Sequence, residues 1–418
     1  MSLSFFEETQ LPNGPLVISH AMPEAQSVAI GIFVDVGSRD ETPGQAGITH
    51  ALEHMLFKGT KALDVHALAA RLDELGGNAN AFTSRERTCF HLHVLHEHWR
   101  EALSLLSSML LEPALPEDEW LREREVIYSE MAMVEDIPEE WVMDQHVAAL
   151  FPDQQIGGSV LGTHEALARF GRDDLQAYMQ RWYRSPRLLI TAAGRIDHQE
   201  LAQESSKYPW LCGQHVHDRQ QAIFQGGVQP LVRDAEQVQL VVSMPGIHAA
   251  SAERPVAWMA NQVLGGGMSS RLFSEIREKR GLAYGIGSHL STLTDIGTWT
   301  VTCGTNVEHA SDCVDVLGRV LDEFISSINL DEVERGKRQM EVHFRMAMDS
   351  VEAQMLGLGA RLDEKELMTP LQWIEQLNQV TLASVKDWTA DKLARPRLWS
   401  IGAPEQALSG ICDRIRPC

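Results

Sequence analysis

Residues 49–60 have the sequence Thr49-His50-Ala51-Leu52-Glu53-His54-Met55-Leu56-Phe57-Lys58-Gly59-Thr60. At about 100° per residue, His50 and His54 share one face of a predicted helix, and Glu53 lies beside that face. Two imidazoles one turn apart can bind the same metal ion, and a neighbouring carboxylate can act on water bound to it. The stretch therefore predicts a helix that carries half of a zinc site.

A zinc ion that catalyses hydrolysis needs three protein ligands and an open position for water, so a third ligand must come from another segment. Residues 116–130 predict a helix, because they begin with proline and acidic residues and carry apolar residues at helical intervals. Glu123 and Glu130 are about two turns apart on one face of it. Glu130 is the candidate third ligand, and the alternative is a solvated helix carboxylate.

The motif and the position of Glu130 closely resemble the pitrilysin-type metallopeptidases, which are inverted zincins with an H-x-x-E-H motif. The similarity is greatest to the mitochondrial processing peptidase β-subunit and its short bacterial relatives, and it continues through residues 75–86, 161–163 and 265–272. It implies a Zn²⁺ site formed by His50, His54 and Glu130. Glu53 would be the general base, and Glu123 would support the site.

The same resemblance assigns roles to residues outside the motif. It implies that Arg277 and Tyr284 of the second domain contact the oxyanion and the substrate backbone, whereas Arg277 alone would be interpreted as a solvated surface charge. It also implies that an extended peptide adds as a strand to the edge of the strand predicted at residues 78–90. Asn80, Ala81 and Phe82 are the candidates for backbone contact.

The second half of the chain repeats the first half's order of a strand, a helix, a strand pair and two helices. Met131-Ala132-Met133 recurs as Met346-Ala347-Met348, which aligns Glu130 with Arg345 and Glu123 with Arg338, so we predict one zinc ion per chain. The predicted fold is α+β, with two homologous domains of about 200 residues. Each is a mainly antiparallel sheet packed with helices, and together they form a two-domain clam or half-chamber. The predicted boundaries are 1–210 for the zinc-binding domain, 211–230 for a linker and 231–418 for a metal-free domain that completes the active site.

Composition excludes several other classes of protein. A formal net charge of −22 argues against nucleic-acid binding and favours cationic partners such as basic peptides, although acidity is also a common means of solubility. No apolar run approaches the roughly 18 residues of a membrane span. The first residues are acidic where a targeting segment would be basic, which indicates a bacterial cytoplasmic protein. The six cysteines form no Cys-x-x-Cys pair and are expected to be free thiols.

We therefore predict a zinc-dependent endopeptidase that cleaves unfolded or extended peptides. Its expected state is an active homodimer, because short members of the family enclose a chamber by pairing and symmetric dimers are common. One alternative is a non-catalytic or partner-dependent assembly subunit, and another is a zinc hydrolase with a non-peptide substrate. The segment His91-x-His93-x-x-His96-x-His98 could suggest a second metal site, but scattered surface or half-buried histidines are the preferred interpretation.

Overall fold

The computed structural model describes residues 5–213, 219–364 and 366–415. The predictions for residues 1–4, for part of the linker and for Cys418 lie outside the described residues. Within the described ranges, no helix is long and apolar enough to cross a membrane. The five cysteines in these ranges are free, and the sulfur atoms of Cys303 and Cys313 lie 3.3 Å apart.

The strands fall into two sheets, with six strands in the first and five in the second. They are β1 (Glu7–Gln10), β2 (Leu16–Ala21), β3 (Ser27–Val34), β4 (Asn78–Thr83), β5 (Thr88–Leu95), β6 (Leu188–Gly194), β7 (Gly227–Val232), β8 (Gln237–Pro245), β9 (Ala283–Thr292), β10 (Gly297–Asn306) and β11 (Leu398–Ala403).

Fifteen α-helices occur in the described residues, and a π-helical segment spans Phe273–Glu278. The α-helices are α1 (Ile48–Leu56), α2 (Val65–Glu74), α3 (Trp99–Leu111), α4 (Glu117–Asp136), α5 (Pro138–Leu150), α6 (His164–Leu167), α7 (Arg172–Trp182), α8 (His198–Ser205), α9 (Arg254–Gly265), α10 (Ala310–Ser327), α11 (Leu330–Ala347), α12 (Val351–Leu358), α13 (Pro370–Gln379), α14 (Leu382–Leu393) and α15 (Glu405–Cys412).

The two sheets have the same strand order, apart from the additional strand β1 in the first. The first sheet has the order β1-β2-β6-β3-β5-β4, and the second has the order β7-β11-β8-β10-β9. Each sheet has one parallel pair, β2 with β6 and β7 with β11, and its other neighbours are antiparallel. The predicted α+β class, with two homologous mainly antiparallel halves, is confirmed.

The chain folds into two compact units that are not continuous in sequence. The first contains Met1–Met131, Gly158–Gln220 and Arg345–Thr369, and the second contains Ala132–Gly157, Gln221–Phe344 and Pro370–Cys418. The chain changes unit five times, after residues 131, 157, 220, 344 and 369, and the third of these changes falls within the predicted linker. The segments 132–157 and 345–369 each belong to the unit of the other half, which the sequence pattern does not predict. The predicted domain boundaries stay a prediction.

The strand β3 shows why the centre of the first sheet is apolar on both faces. Its sequence, SVAIGIFV, is rich in β-branched and aromatic residues, and alternate side chains point to opposite faces of the sheet. Val28, Ile30 and Ile32 belong to the large core under the helices, whereas Ala29 and Phe33 belong to a smaller core on the other face. Helix α12 covers that second face with Val351, Met355 and Leu358, so both faces of β3 are buried.

Candidate metal centre

Helix α1 presents an apolar face to the core and a polar face with the motif residues. Ile48, Leu52 and Met55 are fully buried, as expected for positions three and four apart on one helical face. His50 and His54 lie on another face, with side chains 13% and 16% exposed. The core packing of α1 therefore fixes the direction in which both imidazoles point.

The backbone at the start of α1 is held by a very close contact with residues 161–163. Gly47 precedes the helix with φ of +90°, and Gly162 has φ of +83°, so both adopt a conformation that favours glycine. A Cβ atom on Gly47 would lie 2.6 Å from the Leu161 carbonyl oxygen, and one on Gly162 would lie 2.3 Å from that of Ala46. The two glycines therefore allow the two backbones to pass each other.

The carboxylate of Glu130 on α4 lies opposite both motif histidines. Its Oε2 is 3.8 Å from His50 Nε2 and 3.6 Å from His54 Nε2. One potential ligand atom from each of the three residues lies within 4.8 Å of the others, and within the described residues this is the one group with such an arrangement.

This donor set fits zinc. Tetrahedral ligand atoms around one Zn²⁺ lie roughly 3.4 Å apart, so the observed spacing needs only a small contraction. His50 faces Glu130 with Nε2. Its other ring nitrogen, Nδ1, is buried and has no hydrogen-bond partner among the described residues.

Glu123 and Lys58 extend the cluster behind His54. Glu123 Oε2 lies 3.0 Å from His54 Nδ1, and Lys58 Nζ lies 2.6 Å from the other carboxylate oxygen. Burial acts to raise the pKa of Glu123, but the hydrogen bonds to His54 and Lys58 outweigh it and lower that pKa. An imidazole whose Nδ1 contacts a carboxylate is oriented to bind a metal through Nε2. Lys58 belongs to the quoted motif, but the sequence analysis gave it no role.

The two histidines titrate differently because only one has a carboxylate partner on its second nitrogen. Burial, followed by the neighbouring His54, lowers the pKa of His50 to about 4, so this imidazole is neutral at pH 7. Burial acts to lower the pKa of His54 as well, but Glu123, Glu130 and Glu53 outweigh it and raise that pKa. Zinc must displace a proton from a protonated ligand, so zinc and protons compete at His54.

Helix α4 is held in place by a buried aromatic anchor one turn before Glu123. Trp120 is 1% exposed, stacks on Phe170 with ring centroids 5.4 Å apart, and donates its indole N–H to the Phe170 carbonyl at 3.1 Å. Truncating such a buried indole to alanine typically costs about 3–5 kcal/mol of stability. Glu123 and Glu130 follow on the same face of α4, so this anchor positions both carboxylates.

The carboxylate of Glu53 accepts a hydrogen bond from the hydroxyl of Thr83 at the end of β4. Burial raises the pKa of Glu53, and this hydrogen bond and the charge of His54 offset part of the rise. A carboxylate with a raised pKa is suited to accept and return a proton near neutral pH. Thr83 lies within a segment that the sequence analysis quoted, but its contact was not predicted.

Glu41 caps the first turn of α1 from outside the helix. Its two carboxylate oxygens accept hydrogen bonds from the backbone N–H groups of Gly47 and Thr49, both at 2.8 Å. Thr49 Oγ1 also lies 2.7 Å from the Tyr178 hydroxyl. Burial raises the pKa of Glu41 to about 8, despite the hydrogen bonds that lower it. The sequence offered one signal for this cap, an acidic residue shortly before the glycine that precedes the motif helix.

Replacing Glu41 by leucine is expected to lower the free energy of unfolding by about 2–4 kcal/mol, because it leaves two buried backbone donors without an acceptor. Urea unfolding of the chelator-treated protein, followed by circular dichroism, measures the change. Glu165→Leu is the matched control, because Glu165 is exposed in the first turn of α6. Equal stability of the two variants would show that the cap at α1 contributes nothing.

Arg277 and Tyr284 lie together in the second unit. Arg277 Nη1 donates to the Tyr284 carbonyl at 2.9 Å, and its guanidinium lies 4.6 Å from the Tyr284 ring centroid. The Tyr284 side chain is exposed (84%). Both residues line a cavity of about 390 Å³ at one end of β9. The pair is therefore preorganised within its own unit, and the roles that the resemblance assigns to it stay predictions.

The single strand predicted at residues 78–90 is wrong, because a turn after Thr83 divides this segment between β4 and β5. The three candidate residues for backbone contact lie on β4, the last strand of the first sheet. Asn80 and Phe82 are exposed, whereas Ala81 is half-buried and packs against the core. The Asn80 side chain accepts a hydrogen bond from the backbone N–H of Ala81 at 2.9 Å, and Phe82 contacts Phe33 edge to face. An outermost strand has unpaired backbone groups along its free edge, which is the feature that strand addition requires.

The histidines at positions 91–98 have separate partners in the structure. His93 lies 2.9 Å from the Ser27 hydroxyl, and His91 Nδ1 lies 3.4 Å from a Glu352 carboxylate oxygen. His96 and His98 both lie near Glu97. Each of the four histidines thus contacts a polar side chain outside the group of histidines, and the contacts do not bring the four imidazoles to one point.

Comparison with known proteins agrees with the class that this fold and donor set define, the inverted zincins. Residues 16–164 match the family described as Insulinase (Peptidase family M16), and residues 169–340 match the Peptidase M16 inactive domain. A relative from Bacillus subtilis is named a zinc protease and is 33% identical over 89% of this chain and 92% of its own length. A relative from Mycobacterium tuberculosis is also named a zinc protease and is 33% identical over 98% of this chain and 95% of its own length. The chain belongs to peptidase family M16, which confirms the resemblance, and its relatives support a zinc peptidase.

Solved structures show the same fold. A protein from Pseudomonas fluorescens described as a peptidase M16 inactive domain aligns with a TM-score of 0.87 at 19% identity, covering 96% of this chain and 98% of that chain. A protease from Helicobacter pylori aligns with a TM-score of 0.87 at 20% identity, covering 96% and 99%.

Proposed function

We propose that this protein is a zinc endopeptidase that cleaves extended or unfolded peptides. The observation that carries the proposal is the arrangement of His50, His54 and Glu130 around one point, with Glu53 on the same helix as the two histidines. Three ligands leave a fourth position for water, as in catalytic rather than structural zinc sites. The family relationship supports the zinc peptidase activity in general, and the substrate class is the proposal.

A zinc ion held by these three residues would supply a water with its pKa lowered to about 7 and a Lewis acid for the scissile carbonyl. Glu53 takes the proton of the attacking water and then transfers it to the leaving amine, a role suited to its raised pKa. Glu123 orients His54 through Nδ1, and Lys58 holds the second oxygen of Glu123. These contacts keep the His54 ring in position before a ligand arrives.

The substrate is proposed to bind by its backbone. An extended peptide would add to the free edge of β4 beside Asn80, Ala81 and Phe82, so selection would favour unfolded segments over particular side chains. Arg277 and Tyr284 are proposed to hydrogen-bond the substrate backbone and the oxyanion, as the resemblance implies. The net charge of −22 supports basic peptides among the substrates. The homodimer and the bacterial cytoplasmic location remain proposals, for light scattering and cell fractionation to test.

The test combines metal analysis with a quenched fluorescent peptide library and with a folded protein that contains a cleaved peptide's sequence. We expect one zinc per chain, cleavage of flexible peptides, loss of cleavage with a chelator and its return with zinc. The folded protein should be spared. Zinc binding without hydrolysis, or hydrolysis only after addition of a second polypeptide, would instead favour an assembly or partner-dependent subunit. Cleavage of non-peptide substrates alone would favour the other alternative.

A further inference from the structure

The carboxylate of Glu53 is tied to the strand proposed to receive the substrate. Thr83 Oγ1 donates a hydrogen bond to Glu53 Oε2, and within the described residues this is the one hydrogen bond that the carboxylate makes. The other oxygen, Oε1, is left without a hydrogen bond from these residues. One oxygen is thus held while the other remains able to accept a proton.

The face of β4 that carries Thr83 differs from the face that carries the exposed residues. Exposure alternates along the strand, so Ala79, Ala81 and Thr83 are half-buried, whereas Asn80 and Phe82 are exposed. Helix α1 packs against β4. The strand thus directs Thr83 to the helix that carries Glu53, and its neighbours in sequence to the opposite face.

The turn that follows Thr83 is fixed by contacts on its backbone. Ser84 N–H donates to the Arg87 carbonyl at 2.8 Å, which closes the turn between β4 and β5. The Ser84 and Arg85 carbonyls accept hydrogen bonds from the N–H groups of Ser38 and Arg39 at 3.1 and 2.8 Å. The backbones are so close that a Cβ on Gly37 would lie 2.3 Å from the Ser84 carbonyl oxygen.

A buried ion pair secures the same turn. Arg39 Nη1 lies 2.6 Å from Glu86 Oε1, and both side chains are only 3% exposed. A buried, charge-assisted hydrogen bond of this kind has little freedom to change its geometry. Thr83 therefore lies at the fixed end of β4. A side chain that must hold a functional group within a fraction of an ångström is best placed on such a rigid element.

We propose that Thr83 is a positioning residue for Glu53: its hydroxyl holds one carboxylate oxygen, so that the other faces the reacting water. This inference rests on the proposed role of Glu53 as the general base. Since an added peptide would pair with the backbone of β4 while the Thr83 side chain faces α1, removal of the hydroxyl affects the proton-transfer step rather than peptide binding.

The test replaces Thr83 by valine, which keeps the shape but lacks the hydroxyl, and by serine, which keeps the hydroxyl. Thr83→Val is expected to lower kcat by about 10- to 100-fold with KM and zinc content nearly unchanged, and Thr83→Ser to stay within about 3-fold of the parent. Thr88→Val is the matched control, because Thr88 pairs with Thr83 in register and its hydroxyl donates to the Val36 carbonyl instead. It should leave kcat unchanged.

Three outcomes would overturn the inference. They are an unchanged kcat in Thr83→Val, a serine variant as slow as the valine variant, and a rise in KM that accounts for the whole loss. The first excludes positioning, the second would assign the effect to packing of the methyl group, and the third would assign it to peptide binding.

A second readout does not depend on hydrolysis. Urea unfolding of metal-free parent, Thr83→Val, Glu53→Leu and the double variant forms a double-mutant cycle. The leucine removes the acceptor and the valine removes the donor, so the two substitutions are expected to be non-additive because each removes the same hydrogen bond. Additive effects would contradict the bond between the two side chains. If the parent shows no hydrolysis that depends on Glu53, the proposed function fails, and the cycle still decides whether Thr83 holds this carboxylate.

Discussion

Glu53→Gln is expected to retain zinc and to lose hydrolysis by a factor on the order of 100 to 10,000, the contribution typical of a positioned general base. The amide has nearly the same shape as the carboxylate and can still accept the Thr83 hydroxyl, but it cannot take a proton from water. The helix and the three ligands are unchanged, so metal binding should persist. Zinc content and turnover, measured on the same preparation, separate the two effects.

Glu24→Gln provides the control for this prediction, because it makes the same chemical change at an exposed position. It should be indistinguishable from the parent in zinc content and turnover. Full activity in Glu53→Gln would remove the proposed base. Loss of zinc in that variant would show instead that Glu53 supports the metal ligands.

Loss of a residue that hydrogen-bonds a metal ligand typically weakens metal binding by about 10- to 100-fold. Glu130→Gln is expected to weaken zinc binding by more than this, because it neutralises a residue that binds the ion directly. The free energy of unfolding in the presence of zinc should fall as well. Zinc at about 100 times its dissociation constant stabilises a folded protein by about 2.7 kcal/mol, and the variant should lose most of this increment at the same zinc concentration. Zinc titration by competition with a chelator, and urea unfolding with and without zinc, measure both effects.

Glu125→Gln is the matched control on the same helix, because Glu125 is exposed on α4. It should bind zinc as the parent does. Undiminished zinc binding in Glu130→Gln would place the third ligand elsewhere and would favour the alternative that Glu130 is a solvated helix carboxylate.

The local part of the site could be predicted from the sequence because a helix has a fixed period. His50, Glu53 and His54 lie within one turn, so their relative directions follow once the segment is helical. Glu123 and Glu130 share a face of α4 for the same reason. The pairing of Glu130 with the histidines required the family resemblance, because helical geometry says nothing about which two helices meet.

Contacts between segments that are distant in sequence could not be predicted in this way. Thr83 reaches Glu53 because β4 pairs with β5 and packs on α1. The strand β6 is buried throughout, but its place between β2 and β3 joins residues more than 150 positions apart. Local propensity carries no information about such pairings.

The sequence by itself determined the α+β repeat, the two histidines and the glutamate of the motif helix, and the two carboxylates on one face of α4, since each depends on a short-range period of 2 or 3.6 residues. The tertiary structure decided which oxygen of Glu53 is held, which carboxylate caps α1, and which unit takes the segments 132–157 and 345–369. Those features depend on tertiary packing, in which buried apolar area and satisfied backbone groups are optimised together over the whole fold, and the period of a helix or a strand does not specify them.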